Sequence, residues 1–340
     1  MRLLSIGIFT TLFLCGSALR PTELYDIWGS WKTTHGKTYT PWDESLRFQT
    51  WLENVVKIQS HNLRYQLGME TYSLRVNEYT DLSWTEFAST YLCLAIPYQS
   101  VQTTAGQEKI KTQTFWRGTK QKAPDAIDWR TEGLVRRVKN QGQCGSCWAF
   151  ATTGVVEGQY SRKYGSKTGF SEQQLVDCSR RYGNEGCNGG LMTSSYRYLM
   201  NNSLESEGDY PYEAMDNRCR ANRTKGIVKV KSYTVLKNES ETALKELVGT
   251  RGPVAVGIHA DDGFQFYSHG IYVSSTCSSW PPNHGVLVVG YGAEANSPFW
   301  IVKNSWGINW GEDGYIRMAR NRRNMCHIAS MASVPEVIKT

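Results

Sequence analysis

Two cysteines three positions apart, in the glycine-rich stretch QGQCGSCWAF from Gln141 to Phe150, restrict this chain more than any other feature. Cys144 and Cys147 could hold zinc, shuttle electrons, join a disulfide framework, or divide into one structural and one reactive thiol. The choice depends on compartment and on the remaining cysteines. Arg2 precedes an apolar run from Leu3 to Leu14 that is too short to span a bilayer, and Gly16 and Ala18 follow at the spacing of a cleavage site. This reads as a secretory leader ending near Ala18. The rest of the chain then matures under oxidising conditions, where paired cysteines are expected. Sequons at Asn201, Asn222 and Asn238 fit the same route.

Of the 9 cysteines, Cys15 leaves with the leader and Cys93 precedes a polar linker. Seven remain, and an odd number leaves one thiol outside any set of bridges. Zinc would require a second close pair, whereas Cys178 and Cys187 are the next nearest. A thioredoxin-like motif would need a preceding strand within a parallel sheet, which this context does not offer. A division into one structural and one reactive thiol fits best. Cys147 follows Gly145 and Ser146, the latter a candidate N-cap, and opens WAFATTGVVEGQY, which reads as a buried helix. Unpaired amides and the positive helix end favour thiolate at that position.

A thiolate nucleophile needs a base. Among six histidines only His284 has an informative frame: it stands in NHGVLVVGYG, immediately before a continuous apolar strand. Farther on, KNSWGINWG places Asn304 at a strand end with Trp306 beside it. An amide oxygen accepting from one imidazole nitrogen fixes the tautomer, and an indole over that bond excludes water.

Leu24, Ile27, Trp28 and Trp31 recur at helical spacing, as do Trp51, Val55 and Ile58, which predicts two amphipathic helices. Ser83 and Glu86 form a capping box before a third. From Ala95 to Lys122 periodicity disappears, and a linker without demand for a core is expected. Beyond Ala123 come helical patterns at Cys147 to Lys163 and Ser171 to Cys178. Strand-like runs follow at Ile227 to Tyr233, Val254 to Ile258, Val286 to Tyr291, Phe299 to Lys303 and Gly314 to Met318. That order predicts an α+β unit in two halves. The net charge of +7 is dispersed, its densest cluster being Arg320, Arg322 and Arg323, so no nucleic-acid-binding arm is read.

The stretches around Cys147, His284 and Asn304 resemble the three active-site boxes of papain-like cysteine proteases, in order and at intervals near the roughly 130 to 150 residues typical of the family. The pre-linker region resembles the propeptide of the cathepsin L-like branch. Arg47, Trp51, Asn54, Ile58 and Asn62 fit its long helix motif, and Asn77, Tyr79 and Asp81 its short one. The resemblance implies a papain-like two-lobed α+β fold, with a helical left lobe and an antiparallel β-barrel right lobe, preceded by a helical inhibitory propeptide. The implied divisions are a signal peptide over 1–18, a propeptide with linker over 19–122 and a mature protease over 123–340. It further implies Cys147 as nucleophile, His284 as acid/base, Asn304 as orienting group and Gln141 as oxyanion-hole donor. The implied bridges are Cys144 with Cys187, Cys178 with Cys219, and Cys277 with Cys326.

Substrate-binding residues carried over are Gly189 and Gly190 as a cleft wall, Trp306, and a pocket of Leu191, Met192, Gly257, Gly285 and Met331. That pocket should take an apolar residue two before the scissile bond. No exopeptidase insertion is seen, so an endopeptidase follows. Implied partners are protein and peptide substrates, the chain's own propeptide and cystatin-like inhibitors. A cofactor, a metal, nucleic acid and a membrane span are not expected, and a lysosomal or extracellular monomer is. Acid should loosen the propeptide by protonating paired carboxylates, Asp43 and Asp81 among them. Three departures stand out: Asp43 where the family has Glu, Arg75 where it has Gly, and His327 after Cys326 in place of Gly. The runner-up reading is a catalytically inactive papain-like binding protein.

Overall fold

The spaced tryptophans of the first segment hold two helices together. These are α1 (Pro21–His35) and α2 (Pro41–Gln66), the second capped by the Thr40 hydroxyl, which accepts from the Asp43 amide. Trp28, Trp31, Trp51 and Val55 form a small core of their own. The Trp28 ring lies 5.1 Å from Trp31 and 5.5 Å from Trp51. The segment continues through β1 (Tyr72–Leu74) to α3 (Trp84–Tyr91), which starts at the capping box of Ser83 and Glu86. Asn54 and Asn62 of α2 bind this returning chain: the Asn54 amide donates to the Thr80 and Leu82 carbonyls, and Asn62 exchanges two bonds with the Leu74 backbone.

This computed structural model describes residues 20–92, 94, 112–237 and 239–340. The leader with Cys15, Cys93, linker residues 95–111 and the sequon at Asn238 lie outside them. After the linker come β2 (Gln113–Phe115), β3 (Ile127–Asp128), α4 (Cys147–Tyr164), α5 (Glu172–Cys178), α6 (Met192–Asn201) and β4 (Val228–Val235). The chain then runs through α7 (Glu241–Arg251), β5 (Val254–Ile258), α8 (Asp262–Phe266), β6 (Tyr267–Tyr272), β7 (His284–Glu294), β8 (Ser297–Lys303), β9 (Tyr315–Ala319) and β10 (Ser333–Lys339).

Helices α4 to α6 build one lobe and the later strands the other. The strand order is β1-β6-β9-β8-β7-β5-β10-β4-β2, with β3 on β7. Most pairings are antiparallel; β6 with β9 and β2 with β4 are parallel. Strand β7 is buried along its first nine residues because α4 packs against it, which accounts for its unbroken apolar run.

The sheet extends in two ways that side-chain periodicity did not announce. β1 of the first segment adds to β6, and Gln113 to Phe115, expected within a structureless linker, adds to β4. Both use main-chain groups at open sheet edges, which carry no side-chain signature. Helices α6 and α7 and strand β10 were likewise not read from the sequence. The departure at His327 is accommodated by left-handed backbone at Cys326 and His327, with φ of 54° and 61°. Asn201 and Asn222 of the sequons are exposed.

Because the tryptophan core is separate from the main one, Trp51→Ala should cost the first segment about 3–5 kcal/mol. Hydrogen exchange of the full chain should find protection lost in α1 and α2 and retained in α4.

Candidate active site

Cys147 is the first residue of α4 and, among the described cysteines, the one outside a disulfide. The others are joined as Cys144–Cys187, Cys178–Cys219 and Cys277–Cys326. The first of these fastens the loop before α4, where the Gly145 amide also donates to the Cys187 carbonyl at 2.9 Å. Ser146 occupies the N-cap position, but its side chain does not cap the helix. Its hydroxyl lies 2.6 Å from the Tyr212 hydroxyl instead, and Tyr212 donates to the Gln141 carbonyl at 2.7 Å.

Strand β7 begins directly against this helix end. The Gly285 amide donates to Cys147 Sγ at 3.2 Å. A Cβ on Gly285 would lie 3.2 Å from the Trp148 amide nitrogen and Cα, so a larger residue would have to push strand and helix end apart by a few tenths of an ångström. His284 Nε2 donates to Asn304 Oδ1 at 2.8 Å, and the same oxygen accepts from the Ser305 amide at 2.8 Å. This leaves Nδ1, which has no hydrogen-bond partner, as the imidazole nitrogen available to the sulfur. Trp306 stacks on the imidazole at 4.8 Å. Burial pushes His284 down to about 4, against the opposing effect of the Asn304 hydrogen bond.

The first segment covers this arrangement. Tyr79 and Phe87 pack edge-on to Trp306, with Phe87 at 5.0 Å. The Tyr91 carbonyl accepts from Gln141 Nε2 at 3.1 Å, and Gln141 Oε1 accepts from the Ser305 hydroxyl at 2.6 Å. Leu94 donates its amide to the Asn283 carbonyl at 2.9 Å. Its side chain meets Gly257: a Cβ there would lie 2.8 Å from Leu94 Cδ2 and 3.0 Å from Met331 Sδ. An apolar side chain of the protein itself thus fills the space beside Met331.

Residues 123–336 match the model of the papain family cysteine proteases, and residues 28–87 that of the cathepsin propeptide inhibitor domain. A cathepsin L-like proteinase of Fasciola hepatica is 47% identical over 92% of this chain and 94% of its own. Cathepsin S of Mus musculus is 44% identical over 91% of this chain and 90% of its own. The solved structure of digestive procathepsin L 3 from the larval midgut of Tenebrio molitor superposes with a TM-score of 0.83 at 40% identity, covering 92% and 98% of the two chains. The chain belongs to the papain family of cysteine proteases.

Within this papain-family protease the remaining site residues fall unevenly. Gly257, Gly285 and Met331 cluster around the Leu94 position or the helix end. Gly189 has a left-handed φ of 121°. A Cβ on Gly190 would meet Asn184 Oδ1 at 2.5 Å and the Trp148 ring at 2.8 Å, so packing under the wall already demands a glycine there. Leu191 is half-buried, and Met192 opens α6 within the main core. Missed from the sequence were Ser305, which holds Gln141, and the buried Lys139, which binds Glu157 at 3.3 Å and Glu172 at 2.7 Å. The adjacency of Ser305 to Asn304 was the one available signal. Asp43 was expected to carry a paired charge; it is exposed and bonds to Thr40 at its helix start. Asp81 is the buried carboxylate, binding Lys37 at 3.1 Å and Tyr39 at 2.6 Å. Arg75 donates to the Asn309 and Gly311 carbonyls of the protease domain.

A ring depressed by burial is neutral above its lowered value. In the full chain His284 should therefore be neutral at about pH 6 and titrate higher once the first segment is removed and water returns. Nitrogen-edited NMR of the imidazoles before and after processing reads both states.

Proposed function

We propose that the protein is a cysteine endopeptidase synthesised as an inactive proenzyme, with the propeptide ending within the linker and the mature enzyme beginning near Ala123. The observation that carries this reading is Cys147 at a helix N-terminus beside His284 and Asn304, beneath a segment of the same chain. Cys147 is the nucleophile. Its thiolate adds to the carbonyl carbon of the scissile bond, and the carbonyl electrons move to oxygen. Gln141 Nε2 and the Cys147 amide receive that oxyanion; the Tyr91 carbonyl now bonded to Gln141 is a resting stand-in for it. The His284 imidazolium gives its proton to the departing amine as the C–N bond breaks. Water then attacks the thioester, His284 takes a proton, and the thiol leaves. Asn304 holds the ring, and Trp306 shields their bond.

The position of Leu94 beside Gly257 and Met331 supports an apolar preference two residues before the scissile bond. Acid activation is supported by carboxylates of the propeptide. Burial works to raise Glu86 and Glu44, but Arg47 and Ser83 for the first, and Lys32 and Trp28 for the second, outweigh it and hold both below 4.5. A depressed carboxylate stabilises the folded propeptide above its ordinary value, so this contribution is lost as the pH falls below about 4.5. No described helix is long and apolar enough to cross a membrane. The leader and sequons favour the secretory route, with lysosomal or extracellular delivery. A monomer open to cystatin-like inhibitors fits the exposed cleft that processing would leave.

Acid-processed enzyme should incorporate one equivalent of a thiol-directed epoxide at Cys147, and Cys147→Ser should abolish peptide hydrolysis. Label appearing elsewhere, or none after processing, would favour an inactive binding protein. Gln141→Ala should lower kcat by about 100- to 1000-fold, the loss of one oxyanion donor. Peptides with Leu two before the cleaved bond should outpace those with Arg, and equal rates would defeat the pocket assignment.

A further inference from the structure

Between the two lobes lies a cavity of about 20 Å³, walled by Lys139, Thr153, Glu157, Glu172, Lys303 and Asn304. That volume suffices for one water molecule. Two buried polar atoms of residues that line it have no hydrogen-bond partner, Asn304 Nδ2 and Glu172 Oε2. One is a donor and the other an acceptor, and their residues are 4% and 1% exposed. The other Glu172 oxygen is already engaged, accepting from Lys139 Nζ at 2.7 Å and from the Thr153 hydroxyl at 2.6 Å. Asn304 Oδ1 is engaged as well, by His284 and Ser305.

We propose that this cavity holds a water that accepts from Asn304 Nδ2 and donates to Glu172 Oε2, making Glu172 a positioning residue for the imidazole. The water fixes which way the Asn304 amide faces, because a flipped amide would turn its NH2 toward the donating His284 Nε2. It also relays negative charge: the carboxylate polarises the water, the water polarises the amide, and the electron-richer Oδ1 favours the protonated ring. The catalytic consequence rests on the roles proposed above for Cys147 and His284; the water does not.

The charged groups facing Glu172 are Lys139 from the loop before α4, Glu157 from α4 and Lys303 from the end of β8, with Glu207 bound to Lys139 at 3.2 Å. Burial lifts the Glu172 carboxyl, and Lys139 opposes that lift. The relay is therefore best read at the alkaline side, where the carboxylate is ionised. Lys303 is pushed down to about 8 by burial and titrates near the same side, so a variant that leaves every charge in place is needed. Ala151 also borders the cavity, and Ala151→Val fills it without touching a charge.

A crystal structure of the full chain at a resolution that resolves ordered solvent should contain a water bonded to both atoms, and the Ala151→Val variant should lack it. A dry cavity overturns the proposal whether or not the protein proves to be a protease. In acid-processed Glu172→Gln and Ala151→Val, the alkaline limb of kcat/KM should move down by about half a unit to one unit. KM should stay within about twofold and kcat fall about tenfold. If Glu172→Gln does not fold, Ala151→Val alone decides. A folded Ala151→Val with an unmoved alkaline limb overturns the positioning role, since a purely structural function would lower stability and leave the limb where it was.

Discussion

The Gly285 amide bonded to Cys147 Sγ marks the line along which α4 meets β7, and the site depends on how close that meeting is. The missing Cβ lets a strand backbone touch a helix N-terminus, so the residue next to His284 is held against the sulfur by main chain. Long flexible side chains are not needed to reach across. Asn304 follows β8, the neighbour of β7, where Leu287 stands opposite Lys303. Cys147, His284 and Asn304 are thereby fixed by one helix end and two adjacent strands. The Cys144–Cys187 bridge and the Tyr212 hydroxyl fix the loop that carries Gln141 to the same place.

Magnitudes decide what holds the first segment in the cleft. Tyr79, Phe87, Tyr91 and Leu94 are continuous with the main core, and fully burying such a side chain contributes roughly 1.5–3 kcal/mol. Among the described residues, the ion pair that crosses between the parts, Lys57 with Asp262, is about half exposed, and pairs of that kind contribute about 0–1 kcal/mol. Protonation of the interface can therefore remove only the smaller share. The carboxylates held below their ordinary range are internal to the segment: Glu86 under Arg47, and Glu44 under Lys32 and Trp28. On the proposed acid activation, protonation would loosen the helical unit that presents the apolar contacts rather than repel it from the cleft.

Periodicity and motif spacing made the outline of this molecule legible, because a buried stripe leaves a repeat in the chain. Trp28, Trp31, Trp51 and Val55 lie together where helical spacing put them, and His284 does open a strand with both faces covered. What escaped is of two physical kinds. Strands β1 and β2 pair through main chain, which any residue supplies. Lys139, Glu172 and Lys303 are charged, and a charge in a sequence reads as solvated surface until a structure brings its counter-charges around it. Asp43 erred in the opposite direction: a carboxylate in a helix's first turn reads as an ion-pair partner, whereas its bond is to the neutral Thr40 hydroxyl, which donates to Asp43 Oδ2 at 2.6 Å. Ser146 stood at the right place for a cap, but Tyr212 arrives from far along the chain to engage its hydroxyl.

Occlusion also acts on the chemistry. A segment that only blocked substrates would leave an activated thiolate beneath it, open to any small electrophile that could diffuse in. Here His284 is itself fully buried beneath Trp306, and a buried imidazole resists the positive charge that a thiolate partner would need. The covering segment also engages the donor on Gln141 with the Tyr91 carbonyl. On the roles proposed above, one stretch of chain would withhold the pocket, the oxyanion donor and the charge state together, and the wetting of the cleft that admits a substrate would be the same event that lets the ion pair form.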